Sequence, residues 1–244
     1  MKFAPLMEEY VRKNPNDDWD DDRNRYIGFI DIMGFKDLVA RRPHQEIKYM
    51  LLQMNQTRSI LLKLLKRTNK DGTVKEDTRI RSISFSDSIV FVTKSDSPED
   101  LFNLSVALKI CQEAAIQSGL PTKGALSYGK LTVDFERSIF FGQPLIDAYL
   151  LQEQLFYYGI IADNNVEARL KTIMDEKKEA FKYNNFIKLS TPLKSGKVNH
   201  FNVRLNSIQA DQLDYLYNSV SGPPRKYVDN TIEMYNLMNP AKNE

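Results

Sequence analysis

Two apolar runs in this chain each carry one carboxylate, and that restricts what it can become. The first is Tyr26-Ile-Gly-Phe-Ile-Asp31-Ile32-Met-Gly34-Phe35; the second is Ser84-Phe-Ser-Asp87-Ser-Ile-Val-Phe91. Both read as strands, from their apolar and β-branched content and the turn residues beside them. An ionised acid inside such a run is costly to bury unless a cation neutralises it. Two of them on strands that can lie side by side point to a divalent-metal site, of the kind that handles phosphates.

The remaining elements give these strands a topology. Residues 26–32 form a first strand that ends in a Met33-Gly34-Phe35 turn. Apolar residues at helical spacing (Ile47, Met50, Leu51, Met54, Ile60, Leu61) make residues 45–66 a long helix, and Asn69-Lys-Asp-Gly72 is a turn. Residues 79–85 and 89–93 are two strands joined at Ser86-Asp87-Ser88. A helix over 98–117 follows, with Ser97 as its cap and Gly119-Leu-Pro121 as its stop. Strands at 123–128, 130–133 and 138–141 precede a helix over 143–157. Strand, helix, strand, strand, helix, strand is the ferredoxin-like βαββαβ order of an α/β (α+β) domain. It sets the first strand beside the central hairpin, so Asp31 and Asp87 can meet at one sheet edge.

Further on, a strand at 160–162, a charged helix over 166–182, strands at 185–190 and 198–205, and a helix over 226–238 complete the chain. The expected organisation is a polar arm over 1–25, a main α/β domain over 26–205 and a helical C-terminal elaboration over 206–244. The acidic run from Asp17 to Asp22 reads as part of a solvated arm.

Composition removes other classes. The 244 residues carry a formal net charge of +2, which gives no electrostatic case for nucleic acid or an anionic membrane. No apolar run is long enough to cross a bilayer and no signal sequence opens the chain. The single cysteine, Cys111, lies in an apolar helical pattern and reads as buried packing in a reducing, cytoplasmic setting. His44 and His200 lack zinc-type spacing. Tyr157-Tyr158 reads as core or interface, and Arg79 and Arg81 as exposed charges on a strand edge.

Five motifs in order carry a family resemblance. Phe29-Ile-Asp31-Ile32-Met-Gly34-Phe35 resembles the metal-binding opening of class III nucleotidyl cyclases, and Ser84-Phe-Ser-Asp87-Ser-Ile-Val-Phe91 the hairpin with their second metal aspartate. Lys123-Gly-Ala-Leu-Ser-Tyr-Gly129 is similar to their next strand, and Phe141-Gly-Gln-Pro-Leu-Ile-Asp-Ala-Tyr149 to the helix after it. Leu193-Lys-Ser-Gly-Lys-Val-Asn-His-Phe201 resembles the lysine-bearing hairpin that holds triphosphate.

The resemblance implies that Asp31, the Ile32 carbonyl and Asp87 bind two ions of Mg2+ or Mn2+ per site and act in catalysis. Gly34 and Phe35 would lie under the phosphates of a nucleoside triphosphate substrate, and Lys194 or Lys197 would neutralise the leaving group. It also implies a homodimer with its sites at the subunit interface.

Departures narrow the resemblance. The family's sugar-binding asparagine and transition-state arginine correspond to Ile146 and Leu150, which cannot donate a hydrogen bond. Its base-choosing positions correspond to Ile83 and Ile139. The chain looks most like the pyrimidine cyclases of bacterial Pycsar antiphage systems. This resemblance implies a lyase that turns CTP or UTP into cyclic CMP or cyclic UMP plus pyrophosphate, as an antiviral defence messenger for a separate effector protein. The alternatives are a purine cyclase and a catalytically silent nucleotide-binding module. Asp147 and Tyr149, on the same helix, read as packing or surface positions.

Overall fold

The computed structural model describes residues 19, 22–64, 79–177, 184–220 and 222–240. Most of the acidic run, the Asn69–Gly72 turn and the end of the charged helix lie outside the described residues.

In chain order the elements are β1 (Arg23–Ile32), α1 (Phe35–Arg41), α2 (His44–Leu64), β2 (Ile80–Phe85), β3 (Ser88–Thr93), α3 (Pro98–Gln117), β4 (Thr122–Asp134) and β5 (Ile139–Phe141). Then come α4 (Gln143–Gln154), β6 (Ile160–Ala162), α5 (Asn164–Lys177), β7 (Phe186–Leu193), β8 (Gly196–Val203), α6 (Ala210–Asp214), a 3-10 turn (Tyr215–Ser219) and α7 (Arg225–Met238). The strands form one mixed sheet in the order β2-β3-β1-β4-β6-β8-β7, with β5 paired to β4 off that path. The first four strands follow the expected ferredoxin-like order. β1 lies antiparallel between β3 and β4, and β4 runs parallel to β6.

Strand β1 is buried on both faces, which is why its sequence reads as a continuous apolar run rather than an alternating one. Tyr26 and Ile30 face the cluster built with Leu101, Leu104 and Leu108 of α3. Ile27 and Phe29 face the opposite cluster, which includes Val92, Ala125 and Ala148 of α4. Gly28 has no room for a side chain, since a Cβ there would meet Leu108 at 2.7 Å. Ser97 caps α3 by accepting from the Asp100 amide at 3.2 Å, as its sequence position predicts.

The C-terminal elaboration belongs to the same fold. Tyr157 and Tyr158 join Leu205, Leu213, Val228 and Met234 in one buried cluster, and the Glu113 carboxylate accepts from the amides of Asn206 and Ser207, both at 2.8 Å.

Several expectations need correction. Arg79 is no exposed edge charge: it pairs with the buried Asp100, while Arg81 lies over the rings of Trp19 and Phe135 at 4.8 and 4.9 Å. Trp19, inside the run read as a solvated arm, is buried, and Arg25 donates to its carbonyl at 2.8 Å. Apolar and cation–π contacts with distant strands outweigh the acidic neighbours in sequence. The segments read as two strands at 123–128 and 130–133 are one strand, β4. Helix α4 ends at Gln154, and a short helix, α1, begins at Phe35, the last residue of the expected Met33-Gly34-Phe35 turn.

Candidate functional site

Register brings the two acids to one edge. Asp31 sits opposite Ser88 on β3 and opposite Lys123 on β4. The Ile32 amide donates to the Asp87 carbonyl at 3.0 Å, so the end of β1 and the Ser86-Asp87 turn are tied backbone to backbone. Ser86 adopts φ 55°, which closes the two-residue turn between β2 and β3.

Asp31 is partly buried, and among the described residues its side chain accepts one hydrogen bond, from Ser88 Oγ at 2.8 Å. Burial pushes its pKa up to about 6; Ser88 opposes the shift, and the nearby Asp87 carboxylate adds to it. Such a carboxylate is short of positive charge. Lys123 is the nearest candidate to supply it, at 1% exposed and directly across the register. Yet its ammonium pairs with Glu153 Oε1 at 3.4 Å, and no ion pair to Asp31 is present among the described residues. Burial lowers the Lys123 pKa, and Glu153 opposes that. Glu153 also lies 3.9 Å from Lys194. Asp31, Lys123, Glu153 and Lys194 therefore form a row of alternating charge along the sheet, from β1 through β4 and α4 to the β7–β8 turn.

These residues fit a divalent cation. Among the described residues no cluster of three or more His, Cys, Asp or Glu side chains is present. A protein-only cage is therefore not on offer, but magnesium is commonly held by one or two carboxylates, with substrate phosphate and water completing its shell. Asp31 and Asp87, with the Ile32 carbonyl beside them, supply that kind of partial shell. The cation would also relieve the charge deficit at Asp31.

The other predicted residues are placed unevenly. Gly34 has φ 72° and accepts from the Leu38 amide at 3.0 Å as α1 begins. A Cβ there would meet nothing within 4 Å, so the backbone turn calls for glycine and close packing does not. Phe35 is partly buried and packs against the cluster of Ile32, Ala115 and Leu120. Lys194 joins the charge row, whereas Lys197 pairs with Glu233 of α7 at 2.6 Å. His200 lies 3.2 Å from Glu167 and is buried.

Helix α4 crosses the sheet face that Asp31 shares with Phe29, and the Tyr149 ring meets the Phe29 ring edge-on at 5.7 Å. The positions that lack the expected polar side chains, Ile146 and Leu150, are half exposed on it. Phe141, Ile139 and Phe85 are exposed too, Phe85 at 83% on the strand just before the Asp87 turn. The pairing of Lys123 with Glu153 escaped the motif reading. Lysine inside the apolar strand 122–128 was the available signal for Lys123, while Glu153 meets it only through the fold.

No family model matches the chain, and no curated protein matches its sequence. Solved structures do match. The catalytic core of a rhodopsin-guanylyl cyclase with converted specificity, in complex with ATPαS, has a TM-score of 0.53 at 14% identity, covering 75% of this chain and 97% of that one. The dimeric guanylyl cyclase domain of the RhoGC fusion protein from the aquatic fungus Blastocladiella emersonii has a TM-score of 0.53 at 12% identity, covering 74% and 94%. A bacterial light-regulated adenylyl cyclase has a TM-score of 0.51 at 13% identity, covering 81% and 98%. At such low identity the likeness is one of architecture. The chain has the fold of class III nucleotidyl cyclase catalytic cores.

Proposed function

We propose that this protein is a metal-dependent nucleotidyl cyclase that works as a homodimer on CTP or UTP. One observation carries the reading: the fold sets Asp31 and Asp87 together at a sheet edge and leaves Asp31 partly buried without a cation of its own. Asp31, Asp87 and the Ile32 carbonyl would hold Mg2+ or Mn2+. Bound there, the ions would supply Lewis acidity for the ribose 3′-hydroxyl and charge neutralisation for the triphosphate. The 3′-oxygen attacks the α-phosphorus, the bond to the β-phosphate oxygen breaks, and pyrophosphate leaves while the hydroxyl proton passes to solvent. Lys194, at the end of the charge row, is suited to the leaving group. Lys197 is engaged by Glu233 and is the weaker choice of the two.

The exposed apolar side chains Phe85, Phe141, Ile146 and Leu150 support pairing with a second copy, because a second chain would remove them from water. Ile83 and Ile139, at positions that would choose a purine, support a pyrimidine base, whereas the lack of hydrogen-bond donors at Ile146 and Leu150 supports the catalytically silent module. A purine cyclase has support as well, since the similar structures are named as guanylyl and adenylyl cyclases. The defence role and the separate effector rest on the resemblance to Pycsar enzymes. Incubation with ATP, GTP, CTP and UTP in manganese, with products read by mass spectrometry, decides among these readings. A single cyclic pyrimidine product is expected; a cyclic purine would replace the substrate assignment, and no cyclic product from any of the four would overturn the reaction.

A further inference from the structure

On the sheet face opposite Asp31, α2 and the β2–β3 hairpin enclose a cleft of about 390 Å3. That volume is in the range of small-ligand sites. Ile47, Leu51 and Met54, spaced along one side of α2, line it together with Ile32 and Ile89 of the sheet. The Ser84 and Ser86 side chains and Asp87 contribute from the hairpin.

The two cations of the cleft, Lys48 and Arg58, form no ion pair among the described residues. Among the described residues Arg58 Nε is buried and makes no hydrogen bond, while an Nη of its guanidinium donates to Asn55 Oδ1, one turn back on the same helix. Burial lowers the Arg58 pKa, as expected for a cation shielded from water without an acid beside it. Lys48, on the same lining, forms no ion pair among the described residues, and Asp87 is the one carboxylate there. An apolar floor beside a guanidinium whose buried Nε has no acceptor matches a ligand with an apolar body and an anionic head.

We infer that the α2–hairpin cleft is a second ligand site, for a small amphipathic anion such as an aryl carboxylate or sulfonate, with Arg58 as the residue that receives the head group. An occupant would abut the turn that presents Asp87, a contact suited to an effector. The binding itself needs neither metal nor nucleotide, so its test stands apart from the reaction proposed above.

The probe is 8-anilinonaphthalene-1-sulfonate, titrated into the full chain in EDTA and followed by fluorescence and calorimetry. N-phenyl-1-naphthylamine, which lacks the sulfonate, runs in parallel. One saturable site is expected, weakened about tenfold or more by Arg58→Met, because a hydrogen bond to a charged group is lost. Leu51→Trp should abolish it by filling the cleft, with circular dichroism and melting temperature confirming that both variants fold. The neutral probe should bind at least tenfold more weakly than the sulfonate. Absence of binding, binding that survives Arg58→Met in full, or equal affinity for the two probes would overturn the inference.

Discussion

The Asp31 edge and the C-terminal cluster handle buried polarity in opposite ways. Around β7, β8 and α7 the buried asparagines find their partners, although the Nε of Arg204, just after β8, is buried without one among the described residues. Asn202 accepts from the Tyr157 hydroxyl at 2.6 Å and donates to Thr191 and to the His200 carbonyl at 2.9 and 2.8 Å. Asn239 donates to the carbonyls of Leu205 and Tyr235 at 2.8 and 2.9 Å, and Asn230 to that of Phe156 at 2.6 Å. Such a network holds one geometry, because any rearrangement strands a polar group away from water. Asp31 instead keeps one hydrogen bond, a like-charged neighbour and a lysine committed to another acid. Satisfied polarity marks a scaffold, and polarity left short of charge marks a place for a ligand.

The largest expected effect separates the two regions by activity. Asp31→Ala and Asp87→Ala should each lower cyclic-nucleotide formation by about a thousandfold, since each removes a metal-holding carboxylate. Their urea midpoints should stay close to that of the parent protein. Loss of activity that merely follows loss of folding would erase the distinction.

Asn202→Leu tests the other side. It leaves the Tyr157 hydroxyl without its acceptor in the core, at a cost of about 3 kcal/mol in urea unfolding. Manganese affinity, measured by electron paramagnetic resonance, should be unchanged. A large change in metal affinity would mean that the two regions are not independent.

Lys194 and Lys197 sharpen the comparison within one hairpin. Lys194→Ala should reduce kcat/KM about tenfold, or about 1.4 kcal/mol, while Lys197→Ala should alter it less than about twofold. Equal losses would remove the special place given to the charge row.

The smallest effect is a gain. The Asp31 pKa stands at about 6 against an ordinary 3.8, so the folded state holds this proton more tightly than the unfolded chain. Ionisation therefore weakens the metal-free fold progressively as pH rises through that window, and the penalty is complete above it. In EDTA, Asp31→Asn should stabilise the protein above about pH 6 by on the order of 1 kcal/mol, a value reduced for solvent screening. The gain should vanish below the ordinary carboxylate pKa. A variant less stable at both ends of the range would show that the carboxylate contributes to the scaffold.

Much of this was legible in the chain because local pattern and burial agree. The run from Tyr26 to Ile32 could only be a strand covered on both faces, and the two-residue interval between residues 85 and 88 could only be a tight turn. Alternation then put Asp31 on the face of Ile27 and Phe29, and the βαββαβ order brought it to Asp87. The misreadings share a cause too. Arg79, Arg81 and Trp19 look like surface residues in their local context, and their partners Asp100 and Phe135 lie far along the chain.

The sequence by itself determined the order of the first four strands, the edge where the two aspartates meet and the glycine that turns the chain after β1. Periodicity and backbone preference act over a few residues, so they can be read without knowing the neighbours. Tertiary structure alone decided that Lys123 pairs with Glu153 rather than with Asp31, that Lys194 joins the row while Lys197 leaves it, and that Arg58 lines a cleft with its Nε buried and unpaired. Charge pairing depends on distance and burial across separate elements, and those are set only when the sheet and its helices pack.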